Sequence, residues 1–192
     1  MKARASIVSG WRLALVVAGM AVFISGCSLL NPCKPGKPGK PQAYNLHIKL
    51  GTNLQGSSVV VDVLPANQYN LEKLKNYSIN KYWKSGDPLR QDTPKTTFSF
   101  VSNDKLEQIL PATDPKWKEW ANTGVQYLVI VADLPGVFDD GKVGNQDPRR
   151  QILPICKCYW DSDVKDLVVE IQKSGVHVAT PPRPDQPLPP GW

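Results

Sequence analysis

The sequence predicts a mainly β protein: a two-layer β-sandwich with one short inserted helix. Three features predict it. Tyr44, Leu46, Ile48 and Leu50 alternate with Asn45, His47 and Lys49, the period-two pattern of a half-buried strand. Apolar runs rich in β-branched residues follow at 59–64, 96–101, 125–132, 151–160 and 166–178, separated by turn-forming residues. Residues 70–84 alone show helical spacing. A strand, a helix and then several strands is the order expected of a sandwich with a helix inserted on one edge or face.

After the first strand, residues 51–57 form a turn-rich link. Residues 59–64 read Val-Val-Val-Asp-Val-Leu, and Pro65 closes that strand because proline has no N–H to donate. In the helical stretch Leu71, Leu74, Ser78 and Tyr82 share one stripe. Asn70 is the expected N-cap, Glu72 near the start suits the helix dipole, and Gly86, Asp87 and Pro88 stop the helix. Phe98 and Phe100 share one face of the next strand, and residues 116–120 make a short turn carrying Trp117 and Trp120. The nearly continuous apolar run at 125–132 is expected of a central strand covered on both faces. Residues 151–160 and 166–178 supply two or three more strands, with Gly175 at a turn or bulge.

The chain has 192 residues, with 23 Lys+Arg against 17 Asp+Glu and a net charge of +6. The excess is local. Lys2, Arg4 and Arg12 precede the first apolar run, and Lys34, Lys37 and Lys40 lie in one Pro/Gly-rich stretch. With these set aside, basic and acidic residues balance at 17 each, so no nucleic-acid surface is implied.

The amino terminus reads as a lipoprotein signal peptide, residues 1–26. A basic start leads into an apolar run at 13–24, interrupted only by Gly19. That run is too short to span ~30 Å of hydrocarbon but fits a secretory h-region. Ile24, Ser25, Gly26 and Cys27 then form a bacterial lipobox. Cys27 becomes the first mature residue, its thiol taking diacylglycerol and its amine a further acyl chain such as palmitate. Two or three chains at ~0.8 kcal/mol per buried CH₂ anchor the protein permanently. Ser28 at the second mature position, with no Asp there, resembles the default for the outer membrane, with the body on the periplasmic face.

Residues 27–42 form a lipidated Pro/Gly/Lys-rich tether. Proline recurs every third residue from Pro32 to Pro41, which favours polyproline II and cannot make a packed core. At ~3.1 Å per residue, such a tether reaches roughly 45 Å. Residues 43–179 are the sandwich domain. Residues 180–192 form a Pro-rich tail, solvated or a docking peptide with Trp192 as its anchor.

The chemistry-bearing motifs are incomplete. Gly136 through Lys142 fits Gly-x-x-x-x-Gly-Lys, but Val143 stands where a P-loop needs Ser or Thr, and Gly144–Pro148 cannot open a helix. Nucleotide is therefore not an expected ligand. A calcium loop over 139–150 would put Gly141, Val143 and Arg150 at oxygen-ligand positions, which leaves only a loose site at Asp139, Asp140 and Asp147. His47 and His177 each lack a second ligand at zinc spacing and fit no hydrolytic triad. Asp161, Asp163 and Asp166 cluster in a turn. No catalytic residue, metal or cofactor is expected, and the chain is not expected to be an enzyme.

With Cys27 bound to lipid, three cysteines remain: Cys33, Cys156 and Cys158. Cys156 and Cys158 are two apart in an expected strand, so they would share a face, and a bridge between them would close a strained ring. Cys33 could bond either one and staple the tether to the sandwich, leaving one thiol over.

A lipobox, a tether and a small sandwich with an inserted helix resembles the TssJ family, outer-membrane lipoproteins of type VI secretion systems. Residues 44–50 resemble its first mature strand, and residues 59–64 with the helix around Leu71–Tyr82 resemble its second strand and inserted helix. Residues 127–133, then Arg149 to Pro154, resemble its hydrophobic strand, basic loop and proline-ended strand, and residues 167–171 resemble the closing strand. Two departures stand out. Arg149-Arg150 lacks the aromatic of the family's aromatic-basic pair, and the Cys-x-Cys and Pro-rich tail are foreign to the pattern.

The resemblance implies a binding protein. It implies that the body binds the periplasmic domain of a TssM-like inner-membrane protein and so anchors the type VI membrane complex. It places the contact on the link after the first strand, at Thr52, Asn53, Leu54 and Gln55, with Leu54 as an exposed apolar anchor in a polar rim. The alternative is a periplasmic binding module for a glycan, peptidoglycan or small ligand, with Trp83, Trp117, Trp120 or Trp160 as stacking platforms.

Overall fold

The computed structural model describes residues 39–101, 105–139 and 141–184. The signal peptide, Cys27, Cys33 and most of the Pro-rich tail lie outside the described residues. Among the described residues eight strands run in chain order: β1 (Asn45–Leu50), β2 (Val59–Ala66), β3 (Thr96–Phe100), β4 (Glu107–Leu110), β5 (Tyr127–Asp133), β6 (Arg150–Pro154), β7 (Asp166–Gln172) and β8 (Gly175–Val178). Helices α1 (Gln68–Asn76), α2 (Ile79–Tyr82) and α3 (Pro88–Asp92) lie between β2 and β3, and α4 (Pro115–Asn122) lies between β4 and β5.

The strands form two four-stranded sheets, ordered β4-β1-β7-β8 and β3-β2-β5-β6. All pairings are antiparallel except β1 with β7, whose parallel register runs from Asn45↔Asp166 to Leu50↔Ile171. The mainly β, two-layer expectation is met. The alternation in β1 puts Leu46, Ile48 and Leu50 inside, where with Leu167, Val169 and Ile171 they meet the inner faces of β2, β3 and β5. Burying each such side chain contributes about 1.5–3 kcal/mol.

A second apolar cluster lies on the far side of β2 and β5. Leu71, Leu74, Ile79, Tyr82 and Leu89 from α1–α3 cover Leu64, Val129, Val131 and Ile152. The continuous apolar run of β5 is explained by this double cover: all six residues from Tyr127 to Ala132 are buried.

Several elements differ from expectation. The helix starts earlier: Asn67 is the N-cap, its side chain accepting from the Tyr69 and Asn70 N–H groups while the Asn70 side chain accepts from the Asn67 N–H. Glu72 lies beyond the first turn. The expected single helix is three, because Tyr77 leaves helical geometry, Ser78 caps α2, and Asp87 caps α3 ahead of Pro88 rather than stopping a helix. β2 runs past Pro65 to Ala66. The pairing with β3 ends at Val63↔Thr96, and the Pro65 carbonyl accepts from the Asn70 side chain, so the missing N–H lies on a side without a ladder. The turn expected at Trp117 and Trp120 is α4, capped by Asp114 with Pro115 at its first position. β4 carries no strand pattern in the sequence, because in four residues it buries only Leu110. β6 ends at Pro154, so Cys156 and Cys158 do not share a strand; Cys158 sits in a 3-10 turn, Lys157–Tyr159.

Candidate functional site

The link between β1 and β2 lies at one end of the sandwich. It contains a 3-10 turn, Thr52–Leu54, closed by the Leu54 N–H donating to the Gly51 carbonyl (3.0 Å). The Gly51 N–H donates to the Ile171 carbonyl (2.7 Å), and the Asn53 side chain accepts from the Lys173 N–H (3.3 Å). The link is thereby pinned to the β7–β8 hairpin. A Cβ on Gly51 would lie 3.2 Å from the Ile171 carbonyl oxygen, so glycine suits this close approach.

Leu54 is 1% exposed and belongs to the inter-sheet core. The expectation of an exposed apolar anchor is therefore corrected. The turn carries one apolar side chain, and the end of the core between the sheets receives it. Thr52, Asn53 and Gln55 are exposed. Thr52 and Asn53 border a shallow polar cleft with Lys49, Glu170 and Gln172. The link can offer hydrogen-bonding groups on a rigid turn; it offers no apolar plug.

The covered sheet carries buried charges whose partners come from far along the chain. Asp62, fully buried in β2, accepts from the Tyr82 hydroxyl (3.0 Å), Arg90 Nε (2.9 Å) and the Thr97 hydroxyl (2.6 Å). Burial, and then the Asp62 carboxylate, push the Tyr82 hydroxyl well above its ordinary value. Arg90 also stacks over Trp83, at 4.3 Å from the ring centroid. Asp133, at the end of β5, is raised above the usual carboxylate range by desolvation, against the opposing pull of Arg90 and Arg149.

Arg149 and Arg150 are both buried. Arg149 binds both Asp147 oxygens (3.0 and 2.9 Å) and Asn80, and lies 4.9 Å from the Phe138 ring centroid. An aromatic ring therefore packs on this guanidinium, supplied by Phe138 from earlier in the same loop. Arg150 donates to the carbonyls of Leu74 (3.2 Å), Tyr77 (2.7 Å), Gly144 (2.9 Å) and Lys142 (3.3 Å). It satisfies carbonyls at the end of α1 and draws the loop around itself.

That loop contains the near-match to a phosphate loop, and its Lys142 carbonyl faces a guanidinium. Asp139 accepts from the Gly141 N–H (3.1 Å), and Asp147 is held by Arg149. Asp140 lies outside the described residues. Among the described residues no three His, Cys, Asp or Glu side chains are grouped to hold a metal ion.

His47 does have carboxylate neighbours: Glu107 at 2.6 Å and Asp166 at 3.6 Å. They come from β4 and β7, on either side of β1, which no spacing along the chain reveals. His177 lies 3.1 Å from the Ser174 hydroxyl. Trp117, Trp120 and Trp160 are buried, and Trp83 is half-buried beside Arg90. The stacking platforms of the ligand-binding alternative therefore serve as packing.

Cys156 and Cys158 behave differently. Cys158 is buried and disulfide-bonded, to a partner outside the described residues. Cys156 is a free, fully buried thiol, pushed up to about 12 by desolvation, and it donates to the Gly39 carbonyl (2.9 Å). Beside it Pro41 bridges to Cys156, and the Gln42 N–H donates to the Ile155 carbonyl (2.9 Å). The last residues of the tether are part of the folded body.

No protein-family model matches the chain, and no curated protein matches it significantly. Solved structures do. One is Lip from Serratia marcescens, a membrane-bound component of the type VI secretion system: 11% identity, 71% of this chain, 96% of that one, TM-score 0.45. Another is the type VI lipoprotein TssJ1 from Pseudomonas aeruginosa: 10% identity, 76% of this chain, 99% of that one, TM-score 0.44. A third comes from a type VI membrane complex: 13% identity, 70% of this chain, 95% of that one, TM-score 0.44.

Proposed function

We propose that this chain is an outer-membrane lipoprotein that binds the periplasmic domain of a TssM-like inner-membrane protein and anchors a type VI secretion membrane complex. The observation that carries the reading is the order of parts. A lipobox ending in Cys27 leads through a proline-spaced tether into a two-sheet sandwich with helices inserted after its second strand. In this reading the lipid fixes the body at the periplasmic face of the outer membrane. Thr52, Asn53 and Gln55 contact the partner, while Leu54 holds the turn from beneath.

The test titrates the lipid-free mature chain with the periplasmic domain of a TssM-like inner-membrane protein from the same organism. Saturable binding is expected. Replacing Thr52, Asn53 and Gln55 together by Ala should weaken it at least thirtyfold, about 2 kcal/mol, without moving the thermal melt. Failure of the unaltered chain to bind would sink the reading. Binding untouched by the triple replacement would move the contact elsewhere on the sandwich.

A further inference from the structure

Four cysteines are present, and the structure sorts two of them: Cys158 is disulfide-bonded and Cys156 is free. The partner of Cys158 is therefore Cys27 or Cys33. On the lipoprotein reading, which this inference rests on for that one exclusion, the Cys27 sulfur is bound to lipid. The path of the tether points the same way. Gly39, Pro41 and Gln42 are held against Ile155 and Cys156, two residues before Cys158. Cys33 lies six positions ahead of Gly39, a separation that an extended chain spans in about 20 Å.

We propose that Cys33 pairs with Cys158, stapling the tether to the turn between β6 and β7 and shortening the span between lipid and body. The Cys33 and Cys158 thiols lose two protons and two electrons as the S–S bond forms. A disulfide-bearing oxidant of the exported compartment accepts them and is reduced to two thiols. The covalent path from lipid to body then runs from Cys27 to Cys33, about 20 Å when extended. Without the staple it runs from Cys27 to Gly39, about 40 Å.

Cys156 protects the pairing. Thiol–disulfide exchange needs a thiolate. The thiol nearest in sequence to Cys158 is buried, protonated at neutral pH and bonded to the Gly39 carbonyl, so it is a poor attacker.

The full mature protein, extracted from membranes and alkylated without reduction, is digested and mapped by mass spectrometry. A Cys33–Cys158 linked peptide pair that separates on reduction is expected, with Cys156 alkylated only after denaturation. Cys158 linked to Cys27 or Cys156, a disulfide between two chains, or Cys33 alkylated as a free thiol would overturn the pairing. The mass of the Cys27 peptide reports lipid separately. Unlipidated Cys27 with the Cys33 link intact sinks the lipoprotein reading alone; lipidated Cys27 with free Cys33 sinks the staple alone. Neutron reflectometry on supported bilayers then compares the wild type with Cys33→Ser. The body should stand up to about 20 Å further out in the variant; an unchanged distance would overturn the claim that the staple sets the span.

Discussion

The two sheets share one core but differ on their outer faces. β5 is buried on both sides through six residues, whereas β1 alternates buried with half-buried. Helices α1–α3 cover the first, while the outer faces of β1 and β7 stay open and carry His47, Lys49 and Glu170. The difference teaches how each face tolerates charge. On the covered face Asp62 needs Tyr82, Arg90 and Thr97 together, because an unmatched buried carboxylate is costly. On the open face His47 stands between Glu107 and Asp166 with water available to any of them.

Asp62→Ala should break the covered face hardest. It strands the Tyr82 hydroxyl and frees Arg90, and should cost about 3–5 kcal/mol. In a domain of this size that is a fall of roughly 6–20 °C in Tm by calorimetry. A loss under about 1 kcal/mol would mean the carboxylate is dispensable and the two faces are alike.

Leu54→Ala tests the layer the sheets have in common. It should cost about 2–3 kcal/mol, near the low end for a buried leucine because the site lies at one end of the core. Far-UV circular dichroism and tryptophan fluorescence should report one coincident denaturant transition. Two separated transitions would show that the sheets unfold independently.

His47→Ala on the open face should cost less than about 1 kcal/mol. Glu107 supplies the sharper readout. Its hydrogen bond with His47, opposed by some desolvation, holds its carboxyl below the ordinary range. A lowered folded value gives stability that is present above the unfolded carboxylate pKa and is lost as pH falls through the folded one. The deficit of His47→Ala should therefore shrink in acid, and Glu107, followed by NMR, should titrate higher in the variant. An unchanged titration would separate Glu107 from His47.

Much of this contrast was legible in the sequence. Strict alternation at Tyr44–Leu50 announced a half-open sheet, and the unbroken run of β5 announced a doubly covered one. Hidden features were those set by distant partners. Asp62 meets groups 20, 28 and 35 positions away, and Phe138 meets Arg149 across a loop. Residues 151–160 resemble a strand because a buried 3-10 turn is as apolar as a ladder. Leu54 is one apolar residue in a polar link, and no periodicity tells whether such a residue points in or out. The link itself, and the exposure of Thr52, Asn53 and Gln55, could be read; Leu54 could not.

The parallel pairing of β1 with β7 bears on the order in which the protein is made. Asn45 and Asp166 are 121 positions apart, and β4, the other neighbour of β1, is also synthesised later. Closing so long a loop is slow, and chains dominated by such contacts fold slowly. The opposite sheet can pair β2 with β3 and then with β5 well before β7 exists. β1 is thus the first strand to leave the ribosome and among the last to be seated. Until the carboxy-terminal hairpin arrives, β1 lacks the parallel neighbour that seats it in its sheet.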